Sequence, residues 1–317
     1  MRMVKLIAGL IFISLFLISC GPSDPISFDI NYFEGDEGLI TEFAKNSPPS
    51  EIPEDEEFTI HVILKNRGAS NVSELYHKIN YDSLYFTMEN TETNFFSRLG
   101  ELLNLQESIP GKSLAFPLGS EVYTNYNMKS KELHGQLQNP STTISAVSCY
   151  KYKTILGEEI CIQRNALDAD LKAQPCEATD EKFSKGQGGP VAITKLETDF
   201  FSEGDLIKAY FKIYFKNIGS GTVVENTKVL NVCSGQNIDI DDWHVLKVRA
   251  YLSGEELNCI NNGIVRVNAP EPSIRCIANN PENFARGGAA YSRFLRVVAE
   301  YGYFDQESKE VTVVRRN

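Results

Sequence analysis

Two stretches of this chain alternate apolar and polar side chains so regularly that each predicts a strand. Phe58, Ile60, Val62 and Leu64 point one way, and Thr59, His61, Ile63 and Lys65 point the other. Period-two alternation of this kind marks a half-buried strand. Ala209, Phe211, Ile213 and Phe215 alternate in the same way with Tyr210, Lys212, Tyr214 and Lys216, 151 residues further on and in the same register. Each strand ends in Lys-Asn-x-Gly: Lys65-Asn66-Arg67-Gly68 and Lys216-Asn217-Ile218-Gly219. These read as turns built from residues that tolerate positive φ. An acidic loop precedes each copy, Glu54-Asp55-Glu56-Glu57 and Glu203-Gly204-Asp205. A recurrence with a matched face and a matched ending implies two copies of one all-β unit.

The rest of the pattern fits that class. In the first half, residues 80–88, 114–123 and 141–162 read as strands, the last as two runs about a turn at Leu156-Gly157-Glu158. Ser27 to Tyr32 also alternates. Phe95, Leu99, Leu102 and Leu103 lie near helical spacing, so 94–105 reads as a short helix or loop insertion, and 165–174 as a weak helical patch. In the second half, 191–200, 206–216, 245–252, 264–268 and 274–278 read as strands. Residues 294–303 pair with 309–315 about Asp305-Gln306-Glu307-Ser308. Many short strands without a strong amphipathic helix argue for β-sandwiches. The breaker-rich string Ser184-Lys185-Gly186-Gln187-Gly188-Gly189-Pro190 reads as a domain boundary. The expected layout is a signal peptide over 1–19, a tether and first strand over 20–54, and sandwiches over 55–174 and 175–317.

The Lys-Asn-x-Gly strands add a family. They resemble the second strand of CARDB-type and related immunoglobulin-like modules, over about a dozen residues per copy. Such modules occur in prokaryotic, notably archaeal, cell-surface proteins. The resemblance implies two immunoglobulin-like β-sandwich domains in tandem and a role in adhesion or surface assembly.

The N-terminus places the chain. Arg2 and Lys5 precede a 13-residue apolar run, Leu6 to Ile18, shorter than the roughly 20 residues a membrane span needs. That layout is a secretory signal. Its end, Leu17-Ile18-Ser19-Cys20, resembles the lipobox of prokaryotic lipoproteins. The resemblance implies cleavage before Cys20, lipid on its thiol, and an extracytoplasmic protein anchored to the cell membrane. An uncleaved transmembrane helix and cleavage after Ser19 without lipid are the alternatives.

Charge and cysteine usage narrow the partners. The chain carries a net charge of −11. An acidic surface repels phosphate backbones, which argues against nucleic acid. Cys149, Cys161, Cys176, Cys233, Cys259 and Cys276 remain besides Cys20, with no Cys-x-x-Cys among them. An even set in an exported chain reads as disulfides. Cys149 with Cys161 and Cys259 with Cys276 flank hairpin-like units, which leaves Cys176 with Cys233.

Candidate chemistry is sparse. His61, His77, His134 and His244 show no metal-ligand spacing, and no nucleophile elbow occurs. Gly111-Lys112-Ser113 has Gln106 where a P-loop needs glycine. Asn237, Asp239, Asp241 and Asp242 gather oxygens that suit calcium, against the simpler reading of a solvated acidic loop. Asn71-Val72-Ser73 is an N-glycosylation sequon. Trp243, Tyr210, Tyr214, Tyr301 and Tyr303 form either an exposed aromatic surface or ordinary sheet packing. The expectation is a membrane-tethered surface protein without catalysis, metal or cofactor, meeting a protein or glycan partner. A small-ligand-binding lipoprotein is the second reading, and a thiol-redox or metal-assisted enzyme the third.

Overall fold

The computed structural model describes residues 32–92, 96–99, 102–105, 107–135, 138–163, 175–203, 205–278 and 289–316. The signal segment, Cys20, most of the strand expected at Ser27 to Tyr32 and the patch expected at 165–174 lie outside the described residues.

Along the chain run β1 (Leu39–Phe43), β2 (Glu51–Pro53), β3 (Glu57–Asn66), β4 (Leu75–Asn80), β5 (Phe86–Glu92), β6 (Phe96–Leu99), β7 (Leu102–Leu105), β8 (Ser120–Ser130), β9 (Ser141–Ile162) and β10 (Glu181–Lys182). The second half holds β11 (Val191–Glu203), β12 (Leu206–Asn217), β13 (Thr222–Val224), a short helix α1 (Val229–Cys233), β14 (Val245–Leu252), β15 (Glu255–Glu256), β16 (Asn258–Cys259), β17 (Ile264–Arg266), β18 (Ser273–Ile277) and β19 (Tyr291–Val314). The fold is all-β, as the alternation implies.

Three sheets form. The first is β1-β3-β8-β5 and the second β10-β11-β12-β18-β16. The third, β15-β14-β19-β9-β4-β7-β6, draws strands from both halves. The first sheet lies on β4 and the leading half of β9: Thr41 of β1 bonds Ser148 of β9, and the Tyr126 ring of β8 meets His77 of β4 edge-on. The second sheet lies on the far part of the third, where Thr154 of β9 donates to the Val191 carbonyl of β11. The two alternating strands are β3 and β12. Ile60, Val62 and Leu64 of one, and Ala209, Phe211, Ile213 and Phe215 of the other, are buried as the period predicts.

The long strands β9 and β19 explain where the expected turns went. They pair antiparallel without a break from Tyr291 opposite Ile162 to Thr312 opposite Ser141. Leu156-Gly157-Glu158 is mid-strand, not a hairpin. A Cβ on Gly157 would lie 2.7 Å from the Phe294 ring, so this glycine marks a close approach within a strand. Asp305 to Ser308 likewise continues β19, opposite Ser145 to Ser148. The helix or loop insertion expected over 94–105 is instead the β6–β7 hairpin.

These strands also decide the disulfides. Cys149 and Cys161 lie 12 residues apart on one strand, about 40 Å at the strand rise, so they cannot pair. The structure joins Cys149 to Cys233, Cys161 to Cys176, and Cys259 to Cys276. The last is as expected, with the two residues directly opposite across β16 and β18.

Tyr32 to Asn317 forms one compact unit. The string 184–190, expected as a linker between separate sandwiches, is packed inside it. Gln187 bonds Ile193 in both directions, and the Gly188 amide donates to Gly35.

Candidate functional site

The two halves of the chain meet at a built junction. Lys151 stands opposite Gly302, with Tyr150 opposite Tyr303 and Tyr152 opposite Tyr301. The 151-residue offset that relates β3 to β12 also carries Tyr150 to Tyr301, Lys151 to Gly302 and Tyr152 to Tyr303. The β9–β19 ladder therefore maps onto itself, with a pseudo-twofold axis through the Lys151–Gly302 pair. Tyr-x-Tyr at that same offset was visible in the sequence and would have located the junction.

The four tyrosines are buried and form a closed set, with neighbouring ring centroids 5.7–6.4 Å apart. Each Lys-Asn-x-Gly motif folds against one of them in the same way. Asn66 Nδ2 donates to the Ser70 carbonyl and Asn217 Nδ2 to the Gly221 carbonyl, both at 2.8 Å. The Tyr152 hydroxyl accepts from the Ser70 amide at 3.1 Å, and the Tyr303 hydroxyl from the Gly221 amide at 2.9 Å. A Cβ on Gly68 would overlap the Tyr152 hydroxyl, and one on Gly219 the Tyr303 hydroxyl. Neither glycine has positive φ. The motif requires glycine for room beside a tyrosine, not for turn geometry.

The rest of the network is also closed. Tyr152 donates to the Gly188 carbonyl at 3.0 Å, Tyr303 to Asn217 Oδ1 at 3.3 Å, and Tyr150 to the Leu39 carbonyl at 3.3 Å. The Tyr301 hydroxyl lies 2.9 Å from Thr154 Oγ1 and accepts from the Val191 amide. Burial pushes all four phenols up, Tyr303 to about 12. They stay neutral and serve as hydrogen-bonding struts rather than acids or bases.

On the outer face of the third sheet, Gly302 admits α1. A Cβ there would lie 2.5 Å from Val229 Cγ2, and the Cys149–Cys233 disulfide fastens the helix over β9. Beside it opens a groove of about 510 Å³, lined by Ser70, Asn71, Ser73, Lys151, Lys153 and Glu300 among others. Two of its charges are paired: Lys151 with Glu74 at 2.6 Å and Glu300 with Arg249 at 2.6 Å. Asn71, the sequon asparagine, is exposed at this groove and accepts from the Gly111 amide through Oδ1.

A second polar group lies between the first sheet and the third. Thr41 Oγ1 donates to Ser148 Oγ at 2.6 Å, and Ser148 Oγ is 3.0 Å from His77 Nδ1. Burial pushes His77 down to about 4, with the Val147 backbone offsetting part of that. Among the described residues, His77 Nε2, Thr124 Oγ1 and Tyr126 Oη have no hydrogen-bond partner. A Ser–His pair at this distance suits nucleophilic chemistry, but both residues are fully buried, where no substrate reaches them.

The remaining sequence candidates are dispersed. Asp239 caps the turn at Ile240–Asp242 by accepting from the Asp241 amide. Asp241 pairs with Arg266 at 2.7 Å and Asp242 with Lys228 at 3.5 Å. No cluster of metal-ligating side chains occurs among the described residues. His61 is exposed and bonds Asn125. Tyr301 and Tyr303 are core residues, whereas Tyr210 and Tyr214 lie half-buried on the second sheet, flanked by Arg275 and by Lys195 and Lys212.

No family model matches the chain, and no curated protein sequence matches it. Among solved structures it is similar to AvmM, which catalyses macrocyclization in alchivemycin A biosynthesis (TM-score 0.21, 15% identity, 37% of this chain and 76% of that one). It is similar to the secreted serine protease VesC of Vibrio cholerae (0.22, 6%, 88% and 52%) and to the YadV chaperone (0.19, 8%, 81% and 91%). Likenesses this slight carry no functional argument.

Proposed function

We propose that the protein is a non-catalytic surface scaffold of the extracytoplasmic face, tethered by lipid on Cys20, whose two immunoglobulin-like halves present fixed surfaces to a protein or glycan partner. The observation that carries this reading is the junction. Two copies of one unit share a continuous pair of strands and a closed tyrosine network, which suits a stiff strut rather than two bodies hinged about a ligand. Three disulfides fit an oxidising compartment. Mass spectrometry of membrane-extracted protein tests it: an N-terminal peptide beginning at Cys20 and carrying acyl mass is expected. An unmodified Cys20, or an intact signal, would sink the tether.

A second reading, a small-ligand-binding lipoprotein, draws on the polar groove beside Lys151 and Lys153. Saturable binding of a sugar or anion, abolished by Lys153→Ala, would favour it over the scaffold.

A further inference from the structure

The loop between β7 and β8 ends in an ordered apolar tip, Ser113-Leu114-Ala115-Phe116-Pro117-Leu118. Leu114 is 85% exposed, Phe116 43% and Leu118 73%. The tip is built rather than loose. Ser113 and Phe116 exchange backbone hydrogen bonds at 3.0 and 3.1 Å, and Ser120 closes the base on the Pro110 carbonyl. Arg67 donates to the Leu118 carbonyl. Gly119, at φ 73°, packs so tightly on Asn66 that a Cβ would overlap its carbonyl. Three large apolar side chains held out by such a frame gain nothing for the fold, and a clustered exposed apolar patch marks an interaction site.

The position of the tip identifies what covers it. The folded unit begins beside it: a Cβ on Gly35 would lie 3.6 Å from Lys112 Nζ at the foot of the loop, and Phe33 is 63% exposed. Residues 21–31 are all the chain between Cys20 and Tyr32, which span at most about 40 Å. If Cys20 carries lipid, the foot of the loop is held that close to the bilayer. Leucine and phenylalanine side chains suit the headgroup–acyl boundary. The acidic remainder of the chain is repelled from anionic lipid.

We infer that this tip is a second membrane contact, inserting Leu114, Phe116 and Leu118 into the lipid surface and so fixing how the scaffold stands on the membrane. The inference rests on the tether reading for its geometry. It is tested on full-length protein, exported, extracted and reconstituted into phosphatidylcholine vesicles. With a photoreactive diazirine on the acyl chains, the unsubstituted protein should be labelled in the 113–118 peptide. As a second measurement, Phe116→Trp in a Trp243→Phe background leaves one tryptophan at the tip. Its emission should shift to the blue and be quenched by brominated acyl chains. Phe201→Trp in the same background, 57% exposed at the far end of β11, should stay unquenched. Lipid on Cys20 with an unlabelled, unquenched tip overturns the inference and leaves the tether standing. A blue shift without bromine quenching assigns the tip to a protein contact and also overturns it. Labelling of the tip in protein whose Cys20 is unmodified supports the contact and removes the tether.

Discussion

The two halves share an alternating strand and the tyrosine junction, yet their cores differ in chemistry. Registers fix the correspondence. Leu64 faces Thr41 in the first half, and its counterpart Phe215 faces Ile193 in the second. Val62 faces Thr124, and Ile213 faces Ile274; Ile60 faces Tyr126, and Phe211 faces Cys276. His77 faces Ser148, and Val248 faces Ala299. So Thr41, His77, Thr124, Tyr126 and Ser148 occupy positions that Ile193, Val248, Ile274, Cys276 and Ala299 fill elsewhere. All ten are buried. What the copies share is the alternation and the tyrosine junction. Those features therefore specify the architecture, and the interior of each sandwich is free to vary around them. A buried polar cluster is costly unless satisfied, and three of its groups in the first half lack partners among the described residues. The first half should be the weaker one.

The largest test of the comparison is the disulfide that links the halves. Cys149–Cys233 closes 84 residues and Cys161–Cys176 closes 15. Loop-closure entropy assigns these about 4–5 and about 3 kcal/mol. Paired serine substitutions should lower urea midpoints in that order. An equal loss would mean that unfolded-chain entropy is not the governing term.

Next comes acid. His77 is neutral in the folded core, so above its ordinary value of 6.5 it costs nothing. As pH falls from 6.5 towards about 4, the unfolded chain takes up the proton first, and about 3 kcal/mol of stability is lost. Below that window the loss levels off. Glu54 works in the same direction at lower pH: the Leu133 amide, ahead of the Arg316 amide, holds its carboxyl below the usual carboxylate range. Its stabilisation is present above that range and fades on acidification. Amide exchange at pH 4.5 should therefore quicken in β1, β3 and β8 before β11, β12 and β18. His77→Val, which installs the second half's residue, should abolish the difference.

The junction should answer alike from both sides. Gly68→Ala and Gly219→Ala each force a methyl into a tyrosine hydroxyl, a clash of about 1–3 kcal/mol. Tyr152→Phe combined with the first, and Tyr303→Phe with the second, should recover part of it in a double-mutant cycle. If only one glycine is sensitive, the pseudo-twofold is cosmetic.

Much of this was legible in the chain because alternation at period two is local. Strands β3, β11, β12, β14 and β18 could be read residue by residue. The two misread turns have one cause. Gly157 and the polar run Asp305 to Ser308 look like turns in isolation, but each lies within a strand completed by a partner about 150 residues away. A ladder that long supplies the hydrogen bonds and packing that weak local propensity lacks. Gly188 and Gly189 do not hinge. Gly189 is small because Thr154, Tyr152 and Tyr301 press on it, and Gly188 because Ala69 does and its φ is 65°. The expected pairs Cys149–Cys161 and Cys176–Cys233 fail with the hairpin on which they were built, while Cys259–Cys276 forms as expected. His77 carried no signal at all: its neighbours Thr41, Thr124, Tyr126 and Ser148 are scattered over 107 residues, and only the fold assembles them.

The smallest effect expected concerns the acidic turn that only the second half carries. Asp239, Asp241 and Asp242 offer calcium a set of oxygens on paper. In the fold the three are turned to different tasks, a cap, a pair with Arg266 and a pair with Lys228. A cation would have to displace a guanidinium and an ammonium to gather them. Asp241 and Arg266 are both well exposed, and an exposed pair contributes at most about 1 kcal/mol. Asp241→Asn should therefore move the melting temperature by no more than a degree or two, and millimolar calcium should not move it at all. A calcium-dependent rise, lost in Asp241→Asn, would make this turn a metal site and give the second half a chemistry that its counterpart lacks.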